Sequence, residues 1–324
     1  MPSRIRETLN AFETDGPGGR PQLRARHALE RLGFFDAARL NTTPPYSLAV
    51  AVAQAQTPRG RAMGLLERAR RKYPGGGTVG RFTNARVDHL LDQMEARVWN
   101  PSRVKQGRAP LCGPCAVLFE LANRRPDRYV QLTQEMYETG RFSIGGLTIE
   151  PDDHLYDDAF PNGRFTYEYE EKTQMIAQAD WIVAASMRDS ENALFDFEEP
   201  GDRTAGMTTP SEMAAWMRAM LVCRDVSSES TYFWGERGAV TRAGTTWTGG
   251  GSAMLLIDSD LLHASTNRGS VAYPNHWVVL HSGVTITSGD RYRFEVYSWG
   301  RYYPIDVDEE TFEDYLFGVV TGTP

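Results

Sequence analysis

Cysteine is scarce in this chain: three residues in 324, two of them only three positions apart. That is too few for a disulfide framework, so the fold is expected to stand on its apolar core, in a reducing compartment. Positive charge is short as well. Thirty-five Lys and Arg against 42 Asp and Glu leave a formal charge of −7, without the overall positive field that binds nucleic acid generically. No apolar run approaches the ~18 residues of a membrane span. Met1-Pro-Ser-Arg-Ile-Arg lacks the apolar stretch of a secretory leader, so the expectation is a cytoplasmic protein in the producing cell, or one exported by a signal-independent route. Repeats and low-complexity tracts are missing too. What remains is a globular composition, 41% hydrophobic and 24% charged, long enough for one large domain or two ordinary ones.

Up to about residue 221 the apolar residues recur at helical spacing. Stripes run through Gln22–Phe35, Tyr46–Gln56, Arg61–Tyr73 and Asn84–Trp99, with a basic cluster from Arg59 to Lys72 that reads as a solvated face. Pro74-Gly75-Gly76-Gly77 reads as a linker. Two further helices are expected at Gly113–Asn123 and Asp127–Thr139, with Asp127 as N-cap and Gly140 as terminator. Ile144-Gly145-Gly146 and 151–165 read as loop. Lys172–Arg188 is helical, and Thr209-Pro210-Ser211-Glu212 starts a helix that ends near Leu221. Beyond Cys223 the pattern turns to strands: 231–234, 253–258, 276–287, 292–298 and 317–321, with a tight hairpin at Ser288-Gly289-Asp290. Helices first and an antiparallel sheet second is an α+β layout. We divide it into a helical N-terminal region, 1–100, for delivery or regulation, and a catalytic domain, 101–324.

The densest chemistry lies in Gln106-Gly-Arg-Ala-Pro-Leu-Cys112-Gly-Pro-Cys115, followed at once by an apolar helical run. A thiol at a helix N-terminus sits among free amide donors and partial positive charge, which favour thiolate and lower its pKa. Gln106, six residues upstream, has a side-chain amide placed to meet an oxygen bound beside that sulfur. The Cys-x-x-Cys spacing also suits a redox dithiol or half a zinc site. Zinc lacks a second ligand pair, so no metal is expected, and the dithiol reading lacks a strand just before the motif. Cys112 is the preferred nucleophile, with Cys115 as the alternative. Among six histidines, His276 heads the apolar run Asn275-His-Trp-Val-Val-Leu280, whereas His281 falls on the opposite face of that strand.

Gln106-Gly107 through Cys112-Gly113-Pro114, Asn275–Leu280 and Tyr297-Ser298-Trp299-Gly300 together resemble papain-like cysteine peptidases. The nearest likeness is to their bacterial Cys-Gly-Pro branch, which includes the peptidase domains of bacteriocin exporters. The resemblance implies a papain-like fold, a Cys112 nucleophile on a helix packed against an antiparallel sheet, a His276 base and a Gln106 oxyanion donor. It implies no cofactor and a protein or peptide substrate. Tyr297 stands where the family has the Asn that orients the histidine. Ser298 is the substitute we choose, and Asp290 the alternative if its hairpin folds back. The second cysteine is the catalytic one in the family's Cys-Gly-Ser-Cys form, which keeps Cys115 open. A fainter resemblance to papain-like effectors of contact-dependent secretion implies an antibacterial toxin with a cognate immunity protein. An amidase, a deamidase, a transglutaminase and a degenerate binding module are the alternative functions.

Overall fold

The structure is a computed structural model that describes residues 56–83, 85–107, 109–157, 176–191, 208–231, 235–263 and 272–324. The expected helical stripe Gln22–Phe35, and all but the last residue of Tyr46–Gln56, lie outside them.

Six helices form one side of the described molecule, α1 (Pro58–Lys72), α2 (Val87–Trp99), α3 (Cys112–Arg124), α4 (Pro126–Thr139), α5 (Gln178–Asp189) and α6 (Pro210–Met220), with a single helical turn, His154–Asp157, inside the expected loop 151–165. Their ends follow from local chemistry. Thr57 caps α1 by accepting the Gly60 amide, with Pro58 in the first turn. Thr209 and Glu212 close a capping box on α6. Gly140 ends α4 at φ +82°, in the left-handed region. Asp127, expected as the N-cap of α4, sits inside its first turn instead, because Pro126 takes the first helical position and Arg125 the cap. Its carboxylate pairs with Arg61 of α1 at 2.7 Å.

Three readings change at this level. The basic face of α1 is not simply solvated: Arg61, Arg70 and Lys72 pair with Asp127, Glu95 and Glu138 on neighbouring helices. Pro74–Gly77 is a built turn rather than a linker, since Gly77 donates to Asp88 at 3.1 Å and accepts from Val87 at 2.8 Å. The boundary at residue 100 does not separate two cores. Met63, Leu66, Leu91, Met94 and Val98 share one apolar cluster with Leu118, Phe119, Trp181 and Trp216.

Strands β1 (Phe142–Ile144) and β2 (Leu147–Ile149), which were not expected, make a small hairpin around the loop expected at Ile144-Gly145-Gly146. Gly145 and Gly146, both at positive φ, permit its tight reversal. The main sheet comprises β3 (Val226–Ser230), β4 (Ser252–Ile257), β5 (His276–Leu280), β6 (Thr285–Ile286), β7 (Arg291–Ser298), β8 (Arg301–Asp308) and β9 (Leu316–Gly322). It runs β3-β9-β4-β5-β7-β6, with β8 on the other side of β7, and its pairings are antiparallel. This is an α+β arrangement.

Alternate residues of the strands face opposite layers. Met254, Leu256, Trp277, Val279, Tyr297 and Val320 pack on the six-helix side. Leu255, Ile257, Val278, Leu280, Val296 and Val319 pack under α7 (Glu236–Thr248) and beside α8 (Glu309–Tyr315). Neither helix was expected within the strand-rich half. For α7 the reason is composition, because a sequence of Gly, Thr and Ala with Val240 as its one buried larger aliphatic carries little helical signal. The strand expected at 231–234 is Val226–Ser230 instead, and 232–234 fall outside the described residues. β8 was also missed; Pro304 within it is tolerated because, among the described residues, β8 is an edge strand paired only to β7.

Candidate active site

α3 begins at Cys112, and its first turn carries both cysteines of the motif. The close seat of this turn explains the residue after Cys112. A Cβ on Gly113 would lie 2.4 Å from the Thr208 hydroxyl oxygen, so only glycine fits. Thr208 also accepts the indole N–H of Trp277 through its carbonyl at 2.9 Å, which ties the start of β5 to the start of α3.

Three backbone amides face the Cys112 sulfur: its own, that of Gly113, and that of Trp277. The pairing of β5 with β7 is recorded at Val279↔Tyr297 and Leu280↔Val296, so the ladder ends short of Trp277. The strands part there, and the sulfur takes the Trp277 amide. Cys112 thus adjoins the residue after His276, in the gap between the ends of β5 and β7. It keeps a partly exposed face, whereas Cys115 is buried.

His276 is 3% exposed, and its Nε2 lies 2.6 Å from Ser298 Oγ. Its ring stacks on Trp299 with centroids 4.4 Å apart. Trp299 holds φ +47°, an uncommon conformation for a bulky residue. In the tautomer whose Nε2–H donates to Ser298, Nδ1 is unprotonated and able to accept a proton. Tyr297 points the other way. Its ring stacks on Phe119 of α3 at 3.6 Å, and its hydroxyl donates to the carbonyl of Val104. Asp290, the alternative orienting residue, pairs with Arg237 instead. His281 lies against Phe119 and Tyr302, on the face away from His276.

The segment that carries Gln106 is held from below. Arg97 and Asp180, each with a fully buried side chain, form a two-pronged ion pair with both bonds at 2.7 Å. Asp180 also accepts the Lys105 amide at 3.1 Å. Gln106 Nε2 donates one hydrogen to the Ala109 carbonyl at 2.8 Å, and a primary amide nitrogen carries a second.

Burial sets the charge states, and it reverses one expectation. The three amides draw the Cys112 thiol towards thiolate, but desolvation outweighs them and its pKa is raised above the ordinary thiol value. Burial likewise pushes His276 down to about 3. The resting pair is therefore neutral thiol and neutral imidazole, where helix position alone suggested a thiolate–imidazolium pair. Cys115 is pushed further up, by burial first and then by the Asp180 carboxylate.

The buried imidazole has a consequence for stability. His276 titrates near 6.5 when unfolded and near 3 when folded, so between those values the unfolded chain binds the extra proton. Stability is lost as pH falls through that window, by about 3 kcal/mol from this group between pH 7 and pH 4. Urea unfolding of the native chain and of His276→Gln at both pH values isolates this contribution, because the other acid-sensitive groups are common to both. The native chain is expected to lose more stability than the variant, and equal losses would exclude a buried neutral His276.

Sequence reasoning missed the anchor of the segment that enters β5. Asp258, buried at the end of β4, accepts from the amides of Asp260 and Tyr273 at 3.0 Å and from Asn275 Nδ2 at 3.1 Å. Asn275 Oδ1 in turn accepts the Ser259 amide at 2.8 Å. Asp258 closes the strand expected at 253–258, but partners 15 and 17 residues further on leave no local mark. Among the described residues, no group of three His, Cys, Asp or Glu is arranged to hold a metal ion, and no helix is long and apolar enough to cross a membrane. Comparison with protein-family models, with curated proteins and with solved structures found no match for this chain.

Proposed function

We propose that the chain is a papain-like cysteine peptidase that cleaves a peptide bond with Cys112 as nucleophile, His276 as base and Ser298 as the orienting residue. One observation carries the reading: the sulfur of the partly exposed Cys112, at the head of α3, meets the amide beside His276, whose far ring nitrogen is held by Ser298.

In this mechanism the neutral pair reacts without a free thiolate at rest. His276 Nδ1 takes the Cys112 proton as the sulfur attacks the scissile carbonyl carbon, so the two charges form together and attract each other. The Cys112 amide and the second Gln106 N–H receive the oxyanion, at roughly 3 kcal/mol per donor. The imidazolium then gives its proton to the leaving amine nitrogen. Water, deprotonated by His276, attacks the thioester carbon, the carboxylic acid leaves, and the sulfur regains its proton. Tyr297, in the position of the family Asn, clamps the segment before Gln106 while Ser298 takes over the contact with His276. The Ser298 contact with His276 supports the catalytic reading over a degenerate binding module.

Ser298→Ala is expected to lower kcat about tenfold with little change in KM, since one hydrogen bond that orients the base is lost and no substrate contact is touched. A KM effect alone would assign Ser298 to substrate binding. The function itself is tested by incubating the protein, beside Cys112→Ala, with an unfolded protein such as casein and mapping the products by mass spectrometry. New chain ends that need Cys112 support a peptidase. Intact chains in which Gln has become Glu would reassign the site to deamidation.

A further inference from the structure

The proposed reaction leaves Cys115 unused. Its thiol lies one helical turn beyond Cys112, buried beneath it. Cys115 donates its amide to the Leu111 carbonyl at 3.0 Å, so residues 112–115 form a regular first turn. A rise of 1.5 Å per residue on a 2.3 Å radius puts the two Cα atoms about 5 Å apart, inside the 4.4–6.8 Å span of disulfides. Side chains three apart share a helix face and lean towards the N-terminus, which directs the Cys115 sulfur up towards Cys112. The sulfurs are close enough that charge on one acts on the other. Cys112 is partly exposed, so a small oxidant reaches it first.

We propose that Cys112 and Cys115 are a reversible oxidation site, in which a peroxide oxidises Cys112 and Cys115 resolves it to an intrahelical disulfide that switches the nucleophile off. In the first step the Cys112 sulfur attacks a peroxide oxygen and the O–O bond breaks. Sulfenic acid forms, and the peroxide is reduced to water or an alcohol. In the second step the Cys115 sulfur displaces hydroxide from the Cys112 sulfenic acid, forming the S–S bond and releasing water. Without a resolving thiol, a second peroxide would carry the sulfur on to irreversible sulfinic acid. Burial and the Asp180 carboxylate hold the Cys115 thiol neutral, which slows the resolving step at neutral pH. The first step rests on the reactivity proposed for Cys112, while disulfide formation rests on spacing alone.

The test treats the full chain with hydrogen peroxide, blocks free thiols with iodoacetamide and reads the tryptic peptide spanning residues 109–124, which contains both cysteines and excludes Cys223. The expected result is a peptide about 2 Da lighter than the dithiol, unalkylated, with dithiothreitol restoring two alkylation sites. Cys115→Ala should instead gain about 32 Da on Cys112, and dithiothreitol should not reverse it. Sulfinic acid in the native chain at the same rate as in the variant would overturn the proposal. Diamide, which joins neighbouring thiols without a sulfenic step, separates the two failures. No disulfide with peroxide or diamide refutes the site, whereas a disulfide with diamide alone keeps the pair but refutes the peroxide route, and with it the reactivity proposed for Cys112.

Discussion

Cys112→Ala is expected to reduce the proposed peptide-bond cleavage by at least about 10⁴-fold while leaving the folded state nearly unchanged, because the acyl intermediate of that mechanism forms on the Cys112 sulfur. His276→Ala should fall almost as far. The double variant should be no worse than the worse single one, since the proposed nucleophile and base would act as a unit. Cys112 is small and partly exposed, so its loss leaves no large cavity. Circular dichroism and thermal melting of Cys112→Ala should match the native chain within a few degrees. Retained activity in Cys112→Ala combined with loss in Cys115→Ala would move the nucleophile one turn along α3. Additive losses in the double variant would show that the two residues work separately.

The second large effect is structural. Asp180→Ala leaves the Arg97 guanidinium, fully buried, without its carboxylate, and breaking such a pair from one side costs about 3–5 kcal/mol. In a domain of this size that lowers Tm by roughly ten degrees. Arg97→Met with Asp180→Leu removes both charges together and should recover much of the loss. It should not recover activity fully, because the Lys105 amide loses the acceptor that holds the segment leading to Gln106. Melting curves and turnover of the three variants separate these effects. A single Asp180→Ala that melts like the native chain would show that the pair does not support the fold.

How much of this was legible beforehand follows from where the signals lie in the chain. Cys112, Gly113 and the following apolar run announce a thiol at a helix start through local chemistry alone, and that helix begins at Cys112. The strand headed by His276 was legible because an apolar run with a histidine at its head is also a local pattern. The expected acid thiol was wrong in direction, because burial depends on what the rest of the chain stacks over the site. Tyr297 looked like a lost family Asn, whereas parity along β7 sends its ring to the helical layer and Ser298 to the histidine. Asp180 and Asp258 act across 75–83 and 15–17 residues respectively, distances at which no spacing rule operates. The helix α7 was hidden by small residues whose helical state is imposed by the sheet beneath it.

The most direct measurement is covalent trapping. The protein is incubated with an epoxysuccinate of the papain-inhibitor type, and the adduct is located by peptide mass spectrometry in the native chain and in His276→Ala. The account expects one adduct, on Cys112, formed at least a hundredfold more slowly when His276 is absent. An adduct on Cys115, or labelling of Cys112 at the same rate without His276, would contradict it.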